Sequence, residues 1–233
     1  MSDTLYLVCA GELAEFTSGE QNRLVLLNLA GPGGLIGEKA LLQPEPYATE
    51  IVANKDTLVI KLPRRQMAAA LIREPALKNA LQHKIDAHNH VAWISTCPLL
   101  QDVPLGMRKH LAAHSSLRQY GPDILIHQAG DCLSCVDLVV RGAADYRIES
   151  DGCVKRVQSI TVGSLVGAVM QDHGCPADMV SGQGVDILHI PYTTFRNVTE
   201  AYPPLRKALL GYAARQQILL MRNLTGLQTQ QAK

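Results

Sequence analysis

A chain of 233 residues is long enough for two domains of about 100 residues, each with its own core. Its 22 basic and 21 acidic residues leave a net charge of +1, which gives no electrostatic footprint for nucleic acid or an anionic membrane. No run of about 18 apolar residues offers a membrane span and Met1-Ser2-Asp3-Thr4 is no secretory n-region, so the chain reads as soluble and cytoplasmic, its six scattered cysteines as reduced thiols.

In chain order, Leu5 to Cys9 and Leu13 to Phe16 read as strands turned at Gly11, and Thr17-Ser18-Gly19-Glu20 as a polar tip. A strand over Arg23 to Leu29 ends at Gly31-Pro32-Gly33-Gly34, and two more are expected at 48–53 and 57–62. After Pro63 the period changes. Met67 and Leu71, then Leu77, Leu81, Ile85 and His88, recur at three- and four-residue spacing, which predicts two amphipathic helices interrupted near Pro75. The same order returns in the second half, with strand signals from Ile124 to Ile190, a helix after Pro203-Pro204 and a polar tail, 228–233, expected to fray.

The halves repeat each other. Leu7-Val8-Cys9-Ala10-Gly11 matches Leu138-Val139-Val140-Arg141-Gly142; Gly33-Gly34-Leu35-Ile36-Gly37 matches Gly163-Ser164-Leu165-Val166-Gly167; Leu58 to Pro63 matches Asp186 to Pro191. The offset falls from 131 to 130 to 128, as two short loop deletions would produce. Two tandem modules are expected, over 1–94 and 95–233.

Cys9-Ala10-Gly11-Glu12, the turn Gly31 to Leu42 containing Gly37-Glu38, and Tyr120 to Asp131 in the second copy resemble the cyclic-nucleotide-binding domains of protein kinase regulatory subunits and catabolite-activator-type regulators. The resemblance implies a mainly β fold with flanking α-helices, as two tandem jelly-roll-like β-rolls. The first copy has no counterpart of Pro98 to Asp131, so it lacks two strands and an opening helix. Its exposed sheet edges would invite a protein partner or a second copy.

In that family a short helix starting at the Gly-Glu pair faces the cyclic phosphate, the glutamate takes the ribose hydroxyl, and an arginine about eight residues on clamps the phosphate. Carried over, the implied ligand residues are Gly37, Glu38, Lys39, Ala40, Tyr47, Ala48 and Thr49, with Trp93 as an aromatic cap; Tyr47 stands where the arginine belongs. Losing that clamp costs roughly ten- to a hundredfold in affinity. Lys39 also reads as a solvated lysine, Tyr47 and Trp93 as packing residues. The second copy has Ala168 at the glutamate position and no arginine in Pro176-Ala177-Asp178, so its pocket is expected to be a structural relic.

His83, His88 and His90 lack the spacing of helical metal ligands and read as solvated, and Cys132, Cys135, Cys153 and Cys175 are not expected to converge on a metal. No nucleophile motif or phosphate loop suggests an enzyme, and no helix-turn-helix suggests direct DNA binding. Three functions stay open: a non-catalytic sensor taking a cyclic nucleotide or a related nucleoside or dinucleotide in the first copy and relaying it through the inter-domain helices, a ligand-free scaffold, or a regulatory fragment of a larger kinase, esterase or cyclic-dinucleotide enzyme.

Overall fold

The computed structural model describes residues 3–43, 49–150, 152–168 and 174–231. Two compact units, Met1–Lys109 and His110–Lys233, are each mostly β-sheet with flanking helices.

In the first unit β1 (Thr4–Ala10), β2 (Leu13–Ser18), β3 (Leu24–Ala30), β4 (Leu35–Ile36), the single turn α1 (Lys39–Leu42), β5 (Thr49–Ala53) and β6 (Leu58–Pro63) form two three-stranded sheets, ordered β4-β1-β6 and β3-β2-β5. The chain passes from one sheet to the other at Gly11, whose φ of +81° suits glycine and whose missing Cβ would stand 2.2 Å from the Asp56 carbonyl oxygen. Val8, Leu13, Ala30 and Ile36 pack between the sheets. Helices α2 (Arg64–Arg73) and α3 (Pro75–Thr96) break at Glu74-Pro75, as the spacing predicted, and Leu81 of α3 packs on Leu5 and Leu41.

A buried guanidinium closes this unit. Arg108, in α4 (Leu105–Ala113), donates from Nε to the Val103 carbonyl and from Nη2 to the Leu26 carbonyl, each at 2.8 Å, and its Nη1 bonds Ser95 Oγ. Burial pushes its pKa down, but an arginine remains charged in any ordinary pH range.

The second unit contains β7 (Ser116–Tyr120), β8 (Leu125–His127), the long β9 (Cys135–Ser150), β10 (Cys153–Thr161), β11 (Leu165–Val166) and β12 (Asp178–Pro191), then α5 (Tyr192–Ala201) and α6 (Pro203–Gln231). Strand β9 does the work of β1 and β2 together. It bends at Gly142, the counterpart of Gly11, with φ +72° and a missing Cβ that would meet the Gly184 carbonyl oxygen at 2.2 Å. Strands β7 and β8 both pair with β12, over Val185–His189 and Met179–Val180. The matching strands of the first unit, β6 and β5, are outermost in their sheets, and Leu58 and Ile60 of β6 are exposed. Helix α6 runs to Gln231, through part of the tail expected to fray.

A polar knot fastens β7 and β8 to the sheet. The fully buried Asp137 of β9 accepts from His127 Nε2 of β8 at 2.5 Å and has His189 Nδ1 of β12 2.6 Å from its other oxygen as a close charge contact, and His189 Nε2 meets the Tyr120 hydroxyl of β7 at 3.1 Å. Burial alone would raise the Asp137 pKa; the histidine hydrogen bonds outweigh it and hold the carboxyl below its ordinary value. In the first unit the corresponding positions hold Tyr6 and Lys61, direct register partners in β1 and β6.

Candidate functional site

Both units turn from a two-residue strand into their cassette through a glycine at positive φ, Gly37 at +89° and Gly167 at +82°. The next position is Glu38 in one and Ala168 in the other. A bulged residue aligns the neighbouring hairpins. Glu15 pairs with Asn28 beside the bulge at Leu27, and Tyr146 pairs with Gln158 beside the bulge at Val157. The offset of 128 then runs unbroken through β6, α2 and the helix beginning at Pro75, so that α5 and Pro203 of α6 are the counterparts. It sets the buried Leu81 against the buried Leu209, and His88 against Gln216.

In the first unit these positions converge on a charged knot. His88 of α3 lies between two buried carboxylates, its Nε2 3.5 Å from Glu15 Oε1 and its Nδ1 3.7 Å from Glu38 Oε1. Thr49 donates its hydroxyl to Glu15 at 2.9 Å, whereas Glu38 Oε1 is buried with no hydrogen-bond partner. Burial raises the Glu15 pKa against the pull of Thr49, Lys39, Lys109 and Lys84, and burial lowers that of His88 against the pull of Glu38. At 3.5 Å and 3.7 Å the imidazole makes no hydrogen bond to either carboxylate, so the Glu38 oxygen stays unmatched.

His88, read from sequence as solvated, is thus the residue that closes the pocket. Its side chain is only 13% exposed and that of Glu38 only 4%, so the acid singled out for a ribose hydroxyl faces the protein's own helix. Ala40 is fully buried, Lys39 is half-buried within the electrostatic reach of Glu15 and His88, and Thr49 holds Glu15. Trp93, on the same helix, is half-buried and stacks on His90 with ring centroids 5.7 Å apart. Tyr47 and Ala48 lie outside the described residues.

The second unit holds a cavity at the corresponding place. A cavity of about 610 Å³ lies between the β-roll and α6, lined by Tyr146, Gln158, Ala168 and Gln216 at the four positions that hold Glu15, Asn28, Glu38 and His88 in the first unit. Tyr212, Ser164, Thr161, Leu165 and Leu220 contribute further to its wall, and no charged side chain lines it among the described residues. Gln158 donates to Gln216 Oε1 at 2.6 Å, tying β10 to α6 across the cavity. Asp178 is turned to the backbone, accepting from the Ala129 N–H at 2.8 Å. At these places the second unit carries alanine and glutamine where the first carries glutamate and histidine, so the cavity wall lacks those charges.

The sequence profile of the cyclic nucleotide-binding domain family matches residues 1–74, the strands and cassette turn of the first unit. Over those residues the first unit is similar to a cyclic nucleotide-binding domain. Among solved structures, the regulatory domain of Toxoplasma gondii PKA with cAMP is 16% identical, with a TM-score of 0.52 over 92% of this chain and 79% of that one. The regulatory subunit of a cAMP-independent protein kinase A from Trypanosoma brucei is 19% identical, with a TM-score of 0.51 over 97% of this chain and 78% of that one. At these identities the likeness is one of fold, and it spans both units. No curated protein matches the sequence significantly. Among the described residues no helix is long and apolar enough to cross a membrane.

Proposed function

We propose that this protein is a non-catalytic regulatory module of the cytoplasm that senses a small molecule in its second cyclic-nucleotide-binding-type unit. The observation that carries this reading is the cavity of about 610 Å³ beside the cassette turn, within the volume range of small-molecule sites and roofed by α6. A ligand there would touch Tyr212, Gln216 and Leu220 of α6 and Tyr146 of β9 together, so occupancy biases the helix relative to the roll. The exposed Leu58 and Ile60 on an outermost strand give a protein partner a place to act on the first unit.

For the first unit a scaffold reading is favoured. Its Glu38 is walled in by His88, so a ligand would have to expel an imidazole from between two carboxylates. The test is thermal unfolding of the full chain with cAMP, cGMP, cyclic dinucleotides and purine nucleosides. Stabilisation by at least one ligand should grow with its concentration by mass action and survive Glu38→Ala. If none shifts the midpoint, the sensor reading is lost; if Glu38→Ala alone removes the shift, the site is in the first unit.

A further inference from the structure

We infer that the cavity of the second unit takes an uncharged planar heterocycle of purine-nucleoside size and discriminates against its phosphorylated forms. The inference rests on the sensing function proposed for that cavity and specifies its ligand.

Charge supplies the first argument. A phosphate moved from water into a half-enclosed site needs a cation or a dense set of donors, because an uncompensated buried charge is strongly disfavoured. No lysine or arginine occurs anywhere between Arg156 and Arg196, a span that includes the cassette turn, β11 and β12. The roof brings none either: Tyr212, Ala213, Gln216, Gln217, Leu219 and Leu220 line the cavity from α6, while Arg206, Lys207, Arg215 and Arg222 do not. In the first unit, by contrast, Lys39, Lys84 and Lys109 all act on the corresponding knot.

Shape and hydrogen bonding supply the second. Tyr146 and Tyr212 both line the cavity, offering two aromatic rings of the kind that flank flat ligands. The Gln158 to Gln216 bond uses one amide donor and one amide acceptor, leaving the Gln158 carbonyl and the Gln216 NH2 group for a ligand edge that carries both a donor and an acceptor. Ser164 and Thr161 add hydroxyls suited to sugar oxygens, and Ile160, Leu165 and Val166 complete an apolar floor.

The experiment is calorimetric titration of the full chain with adenosine, guanosine and inosine, each compared with its 5′-monophosphate, and with cAMP and cGMP. At least one nucleoside is expected to bind at least about 10-fold more tightly than its phosphorylated forms. Gln216→Leu should weaken it by a similar factor, and Ala213→Trp, which fills the cavity from α6, should abolish binding. If Ala213→Trp does not fold, Gln216→Leu carries the test of location. A phosphorylated form binding as tightly as its nucleoside overturns the ligand class while the sensing function stands. Nucleoside binding that neither variant alters places the site elsewhere and overturns the inference; no binding by any compound overturns it together with the sensing function.

Discussion

Replacing Asp137 by asparagine tests how the second unit holds β7 and β8, which have no counterpart among the described residues of the first. The carboxylate is fully buried, accepts from His127 at 2.5 Å and has the His189 imidazole 2.6 Å from its other oxygen. The amide is nearly isosteric, so packing is kept. It offers one acceptor oxygen, and its NH2 group points at a histidine N–H that then has no acceptor. Charge-assisted hydrogen bonds of this kind contribute about 1.5–3 kcal/mol each, and stranding one buried donor adds a desolvation cost, so a loss of about 3 kcal/mol is expected. For a unit of this size each kcal/mol moves the midpoint by about 4 °C, giving a drop of about 12 °C. The measurement is scanning calorimetry at neutral pH. Hydrogen exchange should locate the loosening in β7 and β8, because His127 and Tyr120 belong to those strands. The pH dependence gives a second readout. Because the folded carboxyl titrates below its ordinary value, the unfolded state takes up its proton first as pH falls, and the stabilisation is lost from the ordinary aspartate range near pH 4 downward. The variant should lack that acid-limb loss. A midpoint drop under about 3 °C with an unchanged acid limb would refute the assignment of the knot as a clasp.

Three further outcomes follow from the geometry. His88→Gln puts the second unit's residue into the first; burial disfavours the imidazolium, so the wild type loses stability as pH falls through the ordinary histidine range near 6.5, and the variant should gain on it between about pH 7.5 and 5. A difference in midpoint that is the same across that range contradicts a buried, titrating His88. Gly142→Ala should destabilise the second unit by more than about 2 kcal/mol, since its Cβ would stand 2.2 Å from the Gly184 carbonyl oxygen at a φ of +72°; urea unfolding with an unchanged midpoint would exclude the bend. Arg108→Met removes the donors to Val103, Leu26 and Ser95 and should cost about 2–4 kcal/mol, read as earlier urea unfolding of the first unit; a neutral effect would mean that these acceptors are served otherwise.

The duplication was legible in the residues because its signals are local: a strand delivered to Gly11 or Gly142, a glycine-rich turn before Gly37 or Gly167, a proline at the end of β6 or β12. Period and turn chemistry act over a few residues, so they survive as pattern, and the break at Pro75 shows in the same way. Glu38 was legible as a member of a motif, yet its burial was not, because the residue that covers it lies 50 positions downstream on α3. The signal that could have exposed His88 was the offset of 128 carried one helix further, to the paired prolines Pro75 and Pro203.

What tertiary structure alone decided is what surrounds each copy of the cassette turn. Glu15, Glu38 and His88 come from a strand, a turn and a helix, and only folding determines whether three such side chains satisfy one another or leave room. In the second unit the same three places hold Tyr146, Ala168 and Gln216, and a volume of about 610 Å³ remains. Burial and electrostatic matching are properties of assembled surfaces, and no period along the chain encodes them.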